Sequence, residues 1–266
     1  MSVRRNLSVA AALFRIRLAR QTIDPVSFWA AFFIDTAVFF TQAAVFATIY
    51  LNVETINGWD AARAVFFVGT FTLVDGLYMF LYFFGLLELP QTINSGRLDL
   101  YLAKPCDALL HVSLSRINPG SLFIAVPALT LLAAATAGLG MPVTARAVAE
   151  YALSVCLMLL LMFDLMLLLR LPAFVFKRLT GMDAAETVLV EFSFRMPPSA
   201  YSGGLRFLFC VVLPYGLIAG FPTAVFFREA AWTDWLLAGG VAAAFTILAR
   251  SLWKAGLRRY EGSGSR

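Results

Sequence analysis

Hydrophobic residues fall along this chain in six long runs separated by shorter polar segments. A helix needs about 20 mostly apolar residues to cross a bilayer, and each run has that length. The pattern predicts spans at Val26–Leu51, Arg63–Leu87, Pro119–Gly140, Val148–Leu169, Arg206–Phe227 and Trp232–Trp253. Ahead of them Leu7, Ala11, Phe14 and Leu18 recur on one helical face, flanked by Arg15, Arg17 and Arg20. Those arginines interrupt any signal-peptide core, and the face suits a helix lying in the membrane interface. Asp24-Pro25 ends that helix and offers a cap and first residue for the next. The expected fold is all-α: a polytopic membrane protein of six transmembrane helices with an N-terminal interfacial helix. Residues 1–24 would form the interfacial helix, 25–254 the membrane domain and 255–266 a cytoplasmic tail.

Composition agrees with that class. The chain has 266 residues, 61% hydrophobic and 14% charged, whereas soluble domains hold about 45–50% apolar and about 25% charged residues. The net charge of +5 reflects topology rather than nucleic-acid binding. Arg4, Arg5, Arg15, Arg17 and Arg20 precede the first span, and Arg97, Lys104 and Arg116 follow the second. Arg170, Lys177, Arg178, Arg195 and Arg206 follow the fourth, and Arg250, Lys254, Arg258, Arg259 and Arg266 close the chain. Only Arg63, Arg146 and Arg228 fall on the other side. The positive-inside rule then puts both termini in the cytoplasm, which requires an even number of crossings, and six satisfies that.

One polar stretch, Leu89–Arg116, packs Arg97, Asp99, Lys104, Asp107, Arg116 and the single histidine, His111, between two spans. Charge at mid-bilayer costs roughly 2.5–3.5 kcal/mol even on lenient scales, so this stretch belongs in the aqueous phase, as a cytoplasmic loop over 88–118. Leu171–Leu205 alternates apolar runs with Lys177, Arg178, Asp183, Glu186, Glu191 and Arg195. It reads as one or two helices on the cytoplasmic surface, ending at Met196-Pro197-Pro198.

The sequence offers little to an enzyme. It contains no GxxxxGK[ST] phosphate loop, HExxH, CxxC or GxSxG, and Cys106, Cys156 and Cys210 form no spaced pair. Three acids, Asp35, Asp75 and Asp164, fall inside spans. Intramembrane acids mark functional sites by default, but a carboxyl hydrogen-bonded between helices serves structure equally well. Both roles stay open for all three.

Ile93-Asn94-Ser95-Gly96-Arg97-Leu98-Asp99-Leu100-Tyr101-Leu102-Ala103-Lys104-Pro105 resembles the "I…G.LD.yL.kP" stretch of bacterial ABC (ATP-binding-cassette) transporter permeases of the type-2, six-span class. Leu213-Pro214-Tyr215-Gly216-Leu217-Ile218-Ala219-Gly220-Phe221-Pro222 and Gly256-Leu257-Arg258-Arg259-Tyr260-Glu261-Gly262-Ser263-Gly264 are similar to that family's fifth-span and C-terminal motifs, in the same order. Met196-Pro197-Pro198 departs from it where a Tyr-Pro pair is expected.

The resemblance implies a permease subunit in a bacterial cytoplasmic membrane. It would be an exporter subunit with no cofactor of its own, served by ATP on a separate nucleotide-binding ATPase subunit and paired with a second permease. It further implies that Gly96, Arg97, Leu98, Asp99, Leu100, Tyr101, Leu102, Lys104 and Pro105 form the loop that couples to the ATPase. Leucines beside charges fit that role, as an apolar anchor with a polar rim. The rival readings are a secondary transporter driven by protons through Asp35 and Asp75, a lipid enzyme embedded in the membrane, and a membrane scaffold. No internal repeat supports the first, and the missing catalytic cluster opposes the second.

Overall fold

The structure is a computed structural model that describes residues 58–140, 143–176, 181–195 and 201–260, with scattered residues from 12 to 55. The expected interfacial helix, Asp35 and Met196-Pro197-Pro198 lie outside the described residues, apart from Ala12, Phe14 and Arg15, which are helical. The described residues between 33 and 50 are also helical, inside the first expected span. Ala43 among them packs into a cluster with Trp59, Ala64, Phe67, Phe71, Ile124 and Leu131.

Among the described residues every element longer than a single bridge residue is helical, as the hydrophobic runs predict. α1 covers Ala61–Asn94. Asp60 caps its start, its carboxylate accepting from the Arg63 N–H at 2.8 Å. α2 is a single turn, Asp99–Leu102, and α3 is Ala108–Leu114. α4 spans Pro119–Gly138 and α5 Ala145–Arg170, capped by Thr144. A 3-10 turn at Leu171–Phe174 leads to α6, Met182–Arg195. α7, Gly203–Val212, and α8, Pro214–Phe226, follow, and α9 is Trp232–Arg259.

α1, α4, α5 and α9 are each long and apolar enough to cross a membrane. They match the second, third, fourth and sixth expected spans to within a few residues, except that α1 and α9 run several residues further. α1 and α4 pack along their lengths, and α5 lies between α8 and α9. The fifth expected span is not one helix. α7 and α8 meet at 84°, so among the described residues the crossings number four, or five with the bent pair taken as one. The count of six rests on the sequence pattern.

Proline explains the bend. Pro214 has no N–H to continue the helix from α7, and Leu213 ahead of it leaves helical geometry at φ −126°, ψ 73°. α6 approaches the same place from the other side. Its Val190 and Ser193 line a small cavity with Phe71, Asp75 and Tyr78 of α1, Met162 of α5, and Tyr215 and Ile218 of α8. At ~1.5 Å per residue, Asp75 lies roughly 21 Å along α1. α6 therefore packs into the helix assembly near the middle of α1, with Glu186 and Ser193 buried, where the charge pattern alone suggests a helix resting on the surface.

Candidate functional site

The polar stretch folds into a compact turn held at both ends. Glu88 and Arg116, which flank it, form an ion pair at 2.8 Å. α1 ends at Asn94, and Gly96 just beyond it takes a φ of +75°, open to glycine at little cost. The Leu98 N–H then reaches back to the Thr92 carbonyl at 3.2 Å, which turns the chain under the helix end. Pro105 interrupts the next turn, and the Asp107 carboxylate restarts a helix by accepting from the Leu110 N–H at 2.9 Å. α3 then returns against α1. The contact is so close that a Cβ on Gly85 would collide with the backbone carbonyls of Val112 and Ser113.

This fold sorts the leucines by role. Leu89, Ile93 and Leu98 are buried in the core. Leu100 is 65% exposed and Leu102 40%, although solvent exposure of large apolar side chains brings no stability to the chain alone. Arg97, Lys104 and Pro105 are exposed around them, and Gly96, Asp99 and Tyr101 are half-buried. The sequence-expected residues therefore come together on one turn, with Leu98 as its anchor and the others at its surface.

His111 braces the turn from beneath. Lys104 Nζ lies 3.4 Å from His111 Nε2, and Cys106 Sγ lies 3.2 Å from Nδ1. Lys104 can only donate, so in the neutral ring Nε2 accepts and Nδ1–H points to sulfur. Burial, and then the Lys104 charge, push the His111 pKa below the ordinary histidine value. The ring of Tyr101 meets His111 edge-on at 5.2 Å, and Lys104 Nζ sits 5.8 Å from the Tyr101 ring centre.

The C-terminal motif reaches the same turn. The Tyr260 hydroxyl lies beside the Asp99 carboxylate, and burial, with that carboxylate, pushes its pKa up. Phe174 stands edge-on to both Trp253, at 5.5 Å, and Tyr260, at 6.2 Å. It occupies the space that a Cβ on Gly256 would need. Two stretches about 160 residues apart in sequence thus close on one another through the Leu171–Phe174 turn. Sequence reasoning missed Tyr260 and Phe174 as parts of this site, because nothing local announces a contact over that separation.

The two described intramembrane acids lie elsewhere and have partners. Asp75 hydrogen-bonds with the Tyr78 hydroxyl, beside the small cavity under the α7–α8 bend. Asp164, 1% exposed, accepts from the Thr246 hydroxyl of α9. A third carboxylate, Glu186 of α6, is buried against Arg170 at the end of α5 at 2.6 Å, a pairing that the sequence pattern does not announce. The structure brings none of these three carboxylates to the polar turn. Among the described residues no cluster of His, Cys, Asp and Glu is arranged to hold a metal.

No curated protein and no solved structure matches the chain. Residues 36–264 match the family model described as ABC-2 family transporter protein, and by that match this chain is a member of the ABC-2 transporter family.

Proposed function

We propose that this chain is the membrane subunit of an ABC exporter, and that the turn Gly96–Pro105 seats a separate nucleotide-binding subunit. The observation that carries the reading is the pair of exposed leucines, Leu100 and Leu102, beside a buried Leu98 on a braced turn. A turn of that build resists deformation, and its apolar tips fit the buried centre of a protein interface while Arg97 and Lys104 supply the rim. ATP binding would draw two such ATPases together, and the turn would pass that motion through Glu88–Arg116 and the Val112–Gly85 contact into α1. Two packings of the helices, inward-open and outward-open, with a bias between them, complete the cycle.

Export accords with the family resemblance. A second permease copy or relative would complete the cavity, with both termini and the polar turn in the cytoplasm, in a bacterial inner membrane. The buried acids give no comparable support to proton-driven transport, since Asp75 and Asp164 each already engage a neighbouring hydroxyl.

The test is Leu100→Ala with Leu102→Ala, made in the chain co-expressed with its nucleotide-binding subunit. Truncating interface anchors costs about 2 kcal/mol or more each, so the double variant should insert normally, lose the ATPase on copurification and lose transport. Arg97→Ala should do less, because exposed charges contribute about 0–1 kcal/mol. A double variant that keeps both its ATPase and transport would overturn the reading.

A further inference from the structure

One concavity lies neither at the exposed turn nor at the intramembrane acids. A groove of about 730 Å³ opens between α1, α3, α5 and the inner end of α9, within the range of small-ligand sites. Its walls are apolar: Leu81 of α1, Leu110 and Leu114 of α3, and Leu160 and Phe163 of α5. Leu160 is 42% exposed, so the groove opens at the surface of the helix assembly.

One end of the groove is cationic. Arg250 and Lys254 line it, one turn apart on α9, and both are exposed. Among the described residues no carboxylate forms an ion pair with either. Two acids do face this region. Asp107, at the groove mouth, is occupied as the cap of α3 at 2.9 Å. Asp164 lies near enough to feel Arg250 but accepts from the Thr246 hydroxyl. Trp253, between the two cations in sequence, is buried at the same wall.

We propose that this groove holds an anionic phospholipid, its phosphate on Arg250 and Lys254 and an acyl chain along the Leu110, Leu114, Leu160 and Phe163 wall. The cations and the apolar wall together select the ligand. A soluble anion would leave the leucines wet, and a zwitterionic lipid would bring its own ammonium beside the two cations. Basic pockets between membrane helices on the cytoplasmic side take acidic headgroups in this manner, and long basic side chains reach the headgroups while their stems stay apolar. The placement in the cytoplasmic leaflet rests on the topology given above; the choice of ligand does not. The lipid would bridge α3, which leads out of the polar turn, to the C-terminal helix.

Cys106 lines the groove mouth and reports on occupancy. In delipidated, detergent-solubilised protein carrying Cys156→Ser and Cys210→Ala, the rate of maleimide labelling at Cys106 is followed on adding phosphatidylglycerol, phosphatidylcholine or inorganic phosphate. Phosphatidylglycerol should slow labelling at least fivefold, and the other two should not. Arg250→Gln with Lys254→Gln should abolish that protection while labelling at the unprotected rate without lipid. Arg250→Lys should keep it, and Leu114→Trp, which fills the groove, should block it with both cations present. Equal protection by phosphatidylcholine would reduce the groove to a non-selective apolar surface and overturn the proposal. Protection by phosphate alone, or protection surviving the double Gln substitution, would overturn it too. These outcomes are independent of ATPase copurification, so the groove and the coupling turn can fail separately.

Discussion

Arg170 and Glu186 meet at 2.6 Å with 2% and 7% of their side chains exposed, joining the end of α5 to α6. Arg170 also donates to the Met166 carbonyl at 3.0 Å. Desolvating two charges is expensive, and their attraction offsets that cost only when both are present. Removing one partner leaves the other charge buried, at a cost of about 3–5 kcal/mol. Arg170→Ala and Glu186→Ala should therefore each lower the thermal unfolding temperature in detergent sharply. Arg170→Met with Glu186→Leu should lower it much less, since neither charge remains. Single variants that melt with the wild type would show that α6 is held by its other contacts.

Gly85 and Gly240 make a matched pair. A Cβ at Gly85 meets the backbone oxygens of Ser113 and Val112, whereas nothing lies within 4 Å of one at Gly240. Backbone cannot swing aside as a side chain can, so Gly85→Ala should cost about 1–3 kcal/mol as overpacking does. Gly240→Ala should be neutral or stabilising by about 0.5–1 kcal/mol, through helix propensity alone. Thermal melts of the two variants side by side decide it. Equal effects would mean that α3 does not press on α1 as tightly as the structure has it.

His111 should make the turn sensitive to acid. Its pKa is depressed in the folded protein, by burial and then by Lys104, so below the ordinary value of about 6.5 the unfolded chain binds a proton that the folded chain resists. Stability contributed by the neutral ring is complete above that pH and declines as pH falls below it. The unfolding temperature of the wild type should drop more between pH 7.5 and 5.0 than that of His111→Gln. Parallel curves for the two proteins would remove His111 as the cause.

Much of the architecture was legible because lipid imposes a simple code: long apolar runs, bounded by charge, become spans. α1, α4, α5 and α9 follow it. The polar turn was legible for the same reason in reverse, since Arg97, Asp99 and Lys104 between two spans have to reach water. Where the code fails, the cause is a long-range contact. Pro214 was visible, but a proline inside a span is compatible with a mild kink. In the structure it becomes a bend of 84°, with α6 packed beside Asp75 and tied to α5 by Arg170 pairing with Glu186. A face bearing Glu186, Val190 and Ser193 at helical spacing was there to be read. Its partners lie on α1, α5 and α8, and no local pattern names them.

Asp75 offers the sharpest test of what an acid inside the helix assembly is for. It sits 8% exposed, hydrogen-bonded to Tyr78 one turn away, at a cavity of about 10 Å³ that also borders Ser193 and Tyr215. A buried carboxyl engaged in this way resembles structural glue, because polar groups inside a membrane protein persist where neighbours satisfy them. Asn has the same shape as Asp and can still hydrogen-bond with a hydroxyl, but it can neither carry a proton nor hold a charge. Asp75→Asn should therefore assemble and transport as the wild type does, while Asp75→Leu, which leaves the Tyr78 hydroxyl without its acceptor, should lose about 1–3 kcal/mol of stability. Transport assays in vesicles with an imposed proton gradient complete the comparison, and a structural Asp75 predicts no response to the gradient in either wild type or Asn variant. An Asp75→Asn protein that assembles, binds its ATPase and no longer transports would move this carboxyl from the scaffold into the transport cycle, and would put the α7–α8 bend beside it on the substrate's path.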